Sequence, residues 1–306
     1  MSANPRRTMV CAGVSLGLAA AGVLSGGAPA YASGGSVYLS GTTLVHAAEP
    51  GYANRIDIRF DGIEFVITDT GAPLSAGTGC AQVTSHQVSC TAAGIGVITV
   101  WTGDLDDTLA IQASTAYAKA YGGAGDDVID LQGVRGTMVY GQEGNDIVYG
   151  STAGDTIYGG AGDDRLYGFE FGDLLVGGEG ADMMSGGSGY DTVSYADHTT
   201  PVVADADSVT GDDGALDERD TIRTDVEKLV GGSGNDLLIG TDRSDELSGG
   251  AGDDILVGSA GDDVLSGDAG TDRLYGDEQV PVRYFNRDIC EPGADGGATA
   301  GCEIVR

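Results

Sequence analysis

The chain is short of positive charge: 15 Lys and Arg face 47 Asp and Glu in 306 residues, a formal net charge of −32. A basic surface for nucleic acid is therefore excluded. Histidine is scarcer still, with His46, His86 and His198 far apart in sequence, so the H-E-x-x-H of a zinc protease is missing. No serine stands in G-x-S-x-G, the strand-to-helix turn that presents a hydrolase nucleophile. Proline occurs only 7 times against 54 glycines, which rules out a collagen-like chain and leaves glycine to mark turns. Only one long apolar stretch exists, and it lies at the beginning.

That stretch, residues 9–24, follows Arg6 and Arg7 and precedes Ala30-Tyr31-Ala32, a small-x-small cleavage site before Ser33. It is shorter than the roughly 20 residues a membrane span needs. Residues 1–32 are read as a cleaved signal peptide, and the mature chain is expected outside the cell with no stable membrane anchor. Arg6-Arg7 leaves Sec and twin-arginine export both open. Cleavage removes Cys11, so Cys80, Cys90, Cys290 and Cys302 remain in an oxidising setting. Of three possible pairings the two local ones, Cys80 with Cys90 and Cys290 with Cys302, are expected. Zinc would want shorter spacing within each pair.

What the chain does have is a nine-residue period. Units begin at Gly141, Gly150, Gly159, Gly168, Gly177 and Gly186, and again at Gly231, Gly240, Gly249, Gly258 and Gly267. Gly159-Gly160-Ala161-Gly162-Asp163-Asp164-Arg165-Leu166-Tyr167 shows the rule, Gly-Gly-x-Gly-x-Asp-x-U-x with U apolar. The sixth residue is Asp throughout: Asp146, Asp155, Asp164, Asp173, Asp182 and Asp191, then Asp236, Asp245, Asp254, Asp263 and Asp272. An earlier full unit starts at Gly122 and supplies Asp127, and 103–109 is a degenerate relative.

Six residues of each unit suit a turn, because glycine permits positive φ, and three suit a short strand whose middle side chain, the eighth, points inward. Two units make one coil, so each turn should stack on the turn two units later. Asp146 should then face Asp164, Asp155 face Asp173, Asp164 face Asp182 and Asp173 face Asp191. In the second run Asp236 should face Asp254, Asp245 face Asp263 and Asp254 face Asp272. Turns alone would accept Asn or Ser at position six, yet every unit carries Asp. Paired carboxylates among turn carbonyls form an all-oxygen set suited to Ca²⁺, whereas Mg²⁺ keeps its water and wants a tighter octahedron. Several Ca²⁺ ions are expected, held by the twelve sixth-position aspartates.

These motifs resemble those of the RTX (repeats-in-toxin, haemolysin-type) calcium-binding repeat proteins. The resemblance covers about residues 122–275 and implies a parallel β-roll with ions between stacked turns. Its implied ligands are the sixth-position aspartates and turn carbonyls. RTX proteins generally leave the cell by a C-terminal signal and lack cysteine, and this chain differs in both respects.

The expected fold is all-β: a parallel β-roll, or β-solenoid, of calcium-binding nonapeptide repeats with a small N-terminal β cap domain. The cap spans 33–101, where Ile56, Ile58 and Phe60 alternate up to Asp61-Gly62 and Ile63, Phe65 and Ile67 continue beyond it, as in a hairpin. The first run spans 102–194 and the second 231–275. Between them 195–230 number four periods, keep the phase with Val202 and Leu229 at eighth positions, and carry a solvated acidic loop that fails EF-hand spacing at Val209. A disulfide-tied cap is expected at 276–306. The functional expectation is a secreted structural or interaction module that folds on calcium, and not an enzyme. A calcium-dependent adhesin or surface-layer component, with cell-surface polysaccharide or protein as partner, and a small secreted hydrolase with an unfamiliar site are the alternatives. Tyr149 with Tyr167, and Tyr140 with Tyr158, should stack on the two outer faces.

Overall fold

A computed structural model describes residues 34–112, 116–277, 289–292, 298–300 and 304–305. The expected leader, Cys302 of the expected second cysteine pair and parts of the C-terminal segment lie outside these residues. Every element among the described residues is a β-strand. An apolar residue between two outward-facing ones cannot be buried by a lone three-residue strand, so each strand must stack on the next coil.

Three sheets result among the described residues. A long sheet of 14 strands runs the length of the chain, from Leu74–Ala76 and Gly35–Ser40 through Thr156–Ala161 and Lys228–Val230 to Ile304–Val305. A proximal sheet of 10 strands ends at Thr221–Ile222, and a distal sheet of 6 begins at Gly214–Ala215 and Val202–Asp205. Strand pairing within the roll is parallel, with Ile157 opposite Leu175 in one sheet and Leu166 opposite Met184 in the next. The eighth-position residues Val148, Ile157, Leu166, Leu175, Met184, Val193, Leu238, Leu247, Leu256, Leu265 and Leu274 are all fully buried and share one core.

The N-terminal region is joined to the roll through the same sheets. Thr43–Ala48 pairs in parallel with Val97–Asp104, and Arg55–Phe60 with Thr108–Gln112. Antiparallel strands close the end. The expected hairpin is present, with Ile58 opposite Ile67 and Phe60 opposite Phe65, but Ile63 sits in its turn and is exposed. Cys80 and Cys90 form a disulfide between adjacent strands. At the other end Ile289–Glu291 and Ala298–Ala300 add rungs to the long and distal sheets, so the described part of 276–306 continues the roll.

The middle segment departs from the expectation in two ways. Leu229 does stand beside Val193, as the phase requires, but Leu238 pairs with Ala204 and not with Val202, a slip of two residues. The cause is visible in the hydrogen bonds: the Val202 N–H donates to Asp236, so Val202 fills a sixth-position slot and Ala204 the eighth. The slip of two persists where Ile222 pairs with Met184 and is undone by Leu229. Here the chain leaves the long sheet, starts the distal sheet, crosses to finish the proximal one and returns. The acidic loop is not simply solvated, since Asp213 and Asp220 within it are buried.

Candidate calcium site

The turns between strands carry the sixth-position aspartates, and the structure brings all seven expected facing pairs together. In each pair the backbone N–H of the earlier Asp donates to Oδ1 of the Asp one coil later. The distances are 2.7 Å for Asp146 to Asp164, 2.8 Å for Asp155 to Asp173, Asp164 to Asp182 and Asp236 to Asp254, 2.9 Å for Asp173 to Asp191 and Asp245 to Asp263, and 3.0 Å for Asp254 to Asp272. Asp127 joins through Asp146 at 2.8 Å. The result is ladders of carboxylates along the turn edges, every one of the twelve residues buried.

Three further carboxylates belong to these ladders. Asp107, in the degenerate unit, donates to Asp127 and accepts from Asn54. Asp220 accepts from Asp182, and Glu227 accepts from Asp191. Phase arithmetic marks Glu227 as a sixth position, but Asp220 lies two residues out of register and only the pairing reveals it. A second ladder uses fifth positions in the opposite sense: Asn145 donates to Asp126, Asp163 to Asn145 and Ala181 to Asp163. Its sequence signal is Asp or Asn at position five. In the acidic segment Asp205, Asp207 and Asp212 bring carboxylate oxygens within 4.8 Å of one another.

The second oxygen divides the aspartates into two groups. In Asp127, Asp146, Asp164, Asp173, Asp182, Asp191 and Asp254, Oδ2 is buried with no hydrogen-bond partner. In Asp155 the same oxygen accepts from the Ser151 N–H at 2.5 Å, and in Asp245 from the Thr241 N–H and hydroxyl at 2.5 and 2.9 Å. Asp236 accepts from Gly232 at 2.7 Å. Ser151 and Thr241 replace the second glycine of their units, and their short side chains close the turn on itself.

Glycine at position one leaves room beside the open oxygens. A Cβ at Gly159 would lie 2.2 Å from Asp164 Oδ2 and 2.6 Å from the Gly177 carbonyl oxygen, so any side chain would fill a nook lined by oxygen. Position two takes positive φ in most units, even at Gln142 (88°), Phe169 (85°) and Ser259 (73°), but not at Ser151, Gly232 and Thr241, the residues that close their turns.

Buried carboxylates without basic partners resist ionisation. Burial pushes Asp146 and Asp182 up to about 8, Asp164, Asp173 and Asp107 to about 7, and Asp127, Asp191 and Asp254 to about 6, and neighbouring acids add to the shift. The ion pairs of Arg59, His198, Lys228 and Arg243 all involve acids outside the sixth-position set, apart from Glu227. Unpartnered carboxylate oxygens beside backbone carbonyls form a donor set that fits a hard divalent cation.

The family comparison gives the same chemistry. A family model described as "RTX calcium-binding nonapeptide repeat (4 copies)" matches residues 119–133, 140–168, 170–193, 230–265 and 248–279. No curated protein matches the chain. RTX repeats bind calcium, so the roll is a calcium-binding structural module.

Proposed function

We propose, for a chain that is an RTX calcium-binding repeat protein over residues 119–279, that it is an exported module which folds on several Ca²⁺ ions outside the cell and serves as a structural or interaction element, not as an enzyme. The observation that carries this is the set of buried Oδ2 atoms without partners at Asp127, Asp146, Asp164, Asp173, Asp182, Asp191 and Asp254. Calcium bound there would supply positive charge that offsets their mutual repulsion. The chain's own part is to hold those oxygens and the turn carbonyls in place through the N–H to Oδ1 ladder. Asp127, Asp146, Asp164, Asp173, Asp182, Asp191 and Asp254 are the ligands best supported by this geometry. Asp155, whose turn is closed by Ser151, is assigned a mainly structural role, whereas Asp245 keeps a buried Oδ1 without a partner and stays in the ligand set.

Export rests on the leader sequence 1–32, and the Cys80–Cys90 disulfide is consistent with an oxidising compartment. Extracellular modules commonly bind calcium at about 10⁻⁴ to 10⁻³ M, within reach of extracellular concentrations. The absence of protease and hydrolase motifs supports the non-enzymatic reading. Equilibrium dialysis of the full chain against calcium tests the proposal: several ions should bind per chain, and Asp164→Asn should lower that number whereas Asp155→Asn should not. A chain that binds no calcium at millimolar concentration would overturn it.

A further inference from the structure

The outer face of the long sheet carries four stacked rings. Trp101 and Tyr121 lie 5.4 Å apart at 9°, Tyr121 and Tyr140 5.2 Å at 6°, and Tyr140 and Tyr158 4.9 Å at 4°. Near-parallel rings at strand spacing turn their faces toward one another, so the interior of the ladder offers a partner only ring edges. A ring face is free only at an end. Tyr158 is one such end, because the next rung holds Val176 and no further ring, and both residues line a cleft.

A cleft of about 560 Å³ opens at that place, lined by Tyr158, Val176, Gln142, Glu179, His198 and Glu218 among others. Its volume lies within the roughly 300 to 1,000 Å³ of small-ligand sites. One wall is the loop that replaces a regular turn at 195–200, and it is firmly built. His198 bonds Asp197 at 3.0 Å through Nδ1 and Glu218 at 3.2 Å through Nε2, its N–H donates to the Tyr195 carbonyl, and its carbonyl accepts from Ser233. Glu218 in turn accepts from the Ala215 N–H at 2.7 Å. The cleft thus joins an aromatic ring to an amide, carboxylates and the hydroxyls of Thr199 and Thr200, with His198 and Glu218 held in place before any ligand arrives.

We infer that this cleft binds an uncharged saccharide, one sugar ring stacking on the free face of Tyr158 while its hydroxyls donate to Glu179 and Glu218. A sugar ring has an apolar C–H face and a rim of hydroxyls, which matches an aromatic plane bordered by acceptors. Glu179, Glu218 and Asp197 make the walls negative and exclude uronates and sulfated glycans. The second ladder acts as an internal control: Tyr149 and Tyr167 stack at 5.2 Å, but Phe169 lies against both and Tyr167 does not line the cleft. The inference rests on reading the chain as an interaction module, yet its test is separate from calcium-dependent folding.

The experiment is isothermal titration calorimetry of the calcium-loaded full chain with cellohexaose, chitohexaose and hexagalacturonate, after circular dichroism has shown each variant to be folded. The expected result is saturable binding of at least one of the two uncharged hexasaccharides and none of hexagalacturonate. Tyr158→Ala should weaken binding tenfold or more, Glu179→Ala, at the exposed end of its strand, should weaken it several-fold, and Tyr167→Ala should leave it unchanged. A folded, calcium-loaded chain that binds neither uncharged hexasaccharide, or binds hexagalacturonate as well, overturns the inference while leaving the calcium reading intact. So does a Tyr158→Ala or Glu179→Ala variant that binds like the parent chain.

Discussion

Asp164 uses its two oxygens differently. Oδ1 accepts the Asp146 N–H and ties one coil to the one before it, whereas Oδ2 is buried, without a partner, beside Gly159 and the Gly177 carbonyl. Asp164→Asn keeps the first acceptor and removes the charge, so its effect should reverse with conditions. Without calcium the variant should be more stable than the parent, because no buried charge remains. With calcium at ten times Kd it should lose about 1.4 kcal/mol, the contribution of one site, as read by thermal melting in both buffers. Asp155→Asn, in a turn closed by Ser151, should lose far less in calcium. The raised pKa values give a second expectation. A carboxyl whose folded pKa lies above its unfolded value stabilises the fold fully below the unfolded pKa, near 3.8, and loses that contribution as pH rises through the folded values of about 6 to 8. The ion-free ladder should therefore gain β-structure as pH falls from 8 toward 4, seen by far-UV circular dichroism in chelator. His46 acts in the opposite direction. Burial lowers its pKa to about 4, so it weakens the N-terminal end as pH falls below 6.5, and His46→Leu should remove that opposing limb.

Single strands in this roll are short, and their stability comes from neighbours. Leu166, fully buried between Val148 and Met184, has apolar partners on both sides, and Leu166→Ala should cost about 2 to 5 kcal/mol in calcium by denaturant melting. The ninth-position rings contribute less. Tyr140→Thr breaks two stacking contacts of roughly 0.2 to 1 kcal/mol each and should raise the calcium midpoint slightly. These elements were legible in the sequence because the period fixes them: a residue at position six or eight meets its equivalent two units on. The tyrosine stacks followed from the same arithmetic, although Trp101 and Tyr121 extend one of them across coils longer than two units, where the period fails. Other features were hidden because no period encodes them. Ala204 in place of Val202 is a slip of two residues that only strand pairing reveals, and Asp220 enters the ladder from an acidic segment that reads as solvated. The closed turns at Asp155, Asp236 and Asp245 go with a second residue, Ser151, Gly232 or Thr241, that lacks positive φ and aims its N–H at the aspartate, a difference the sixth position does not show.

On the scale of the whole chain, the long sheet is the common thread. It runs without interruption past the point where the proximal sheet ends and the distal sheet begins, and the buried core is continuous through that exchange. The two repeat runs should therefore melt as one unit in calcium. Limited proteolysis should cut first between Val209 and Asp217, where Val209 and Leu216 are exposed, and the two fragments should stay associated on gel filtration. Fragments that separate and each keep a β-rich spectrum would show two independent rolls.

The central claim is that the fold depends on cations to neutralise its buried carboxylates. Its most direct test is far-UV circular dichroism of the calcium-stripped full chain at pH 7.5 as calcium is added. The account predicts a largely unordered spectrum in excess chelator and a cooperative rise of β-signal in the range of about 10⁻⁴ to 10⁻³ M calcium, reversed by chelator. A β-rich spectrum that persists unchanged in excess chelator would contradict it.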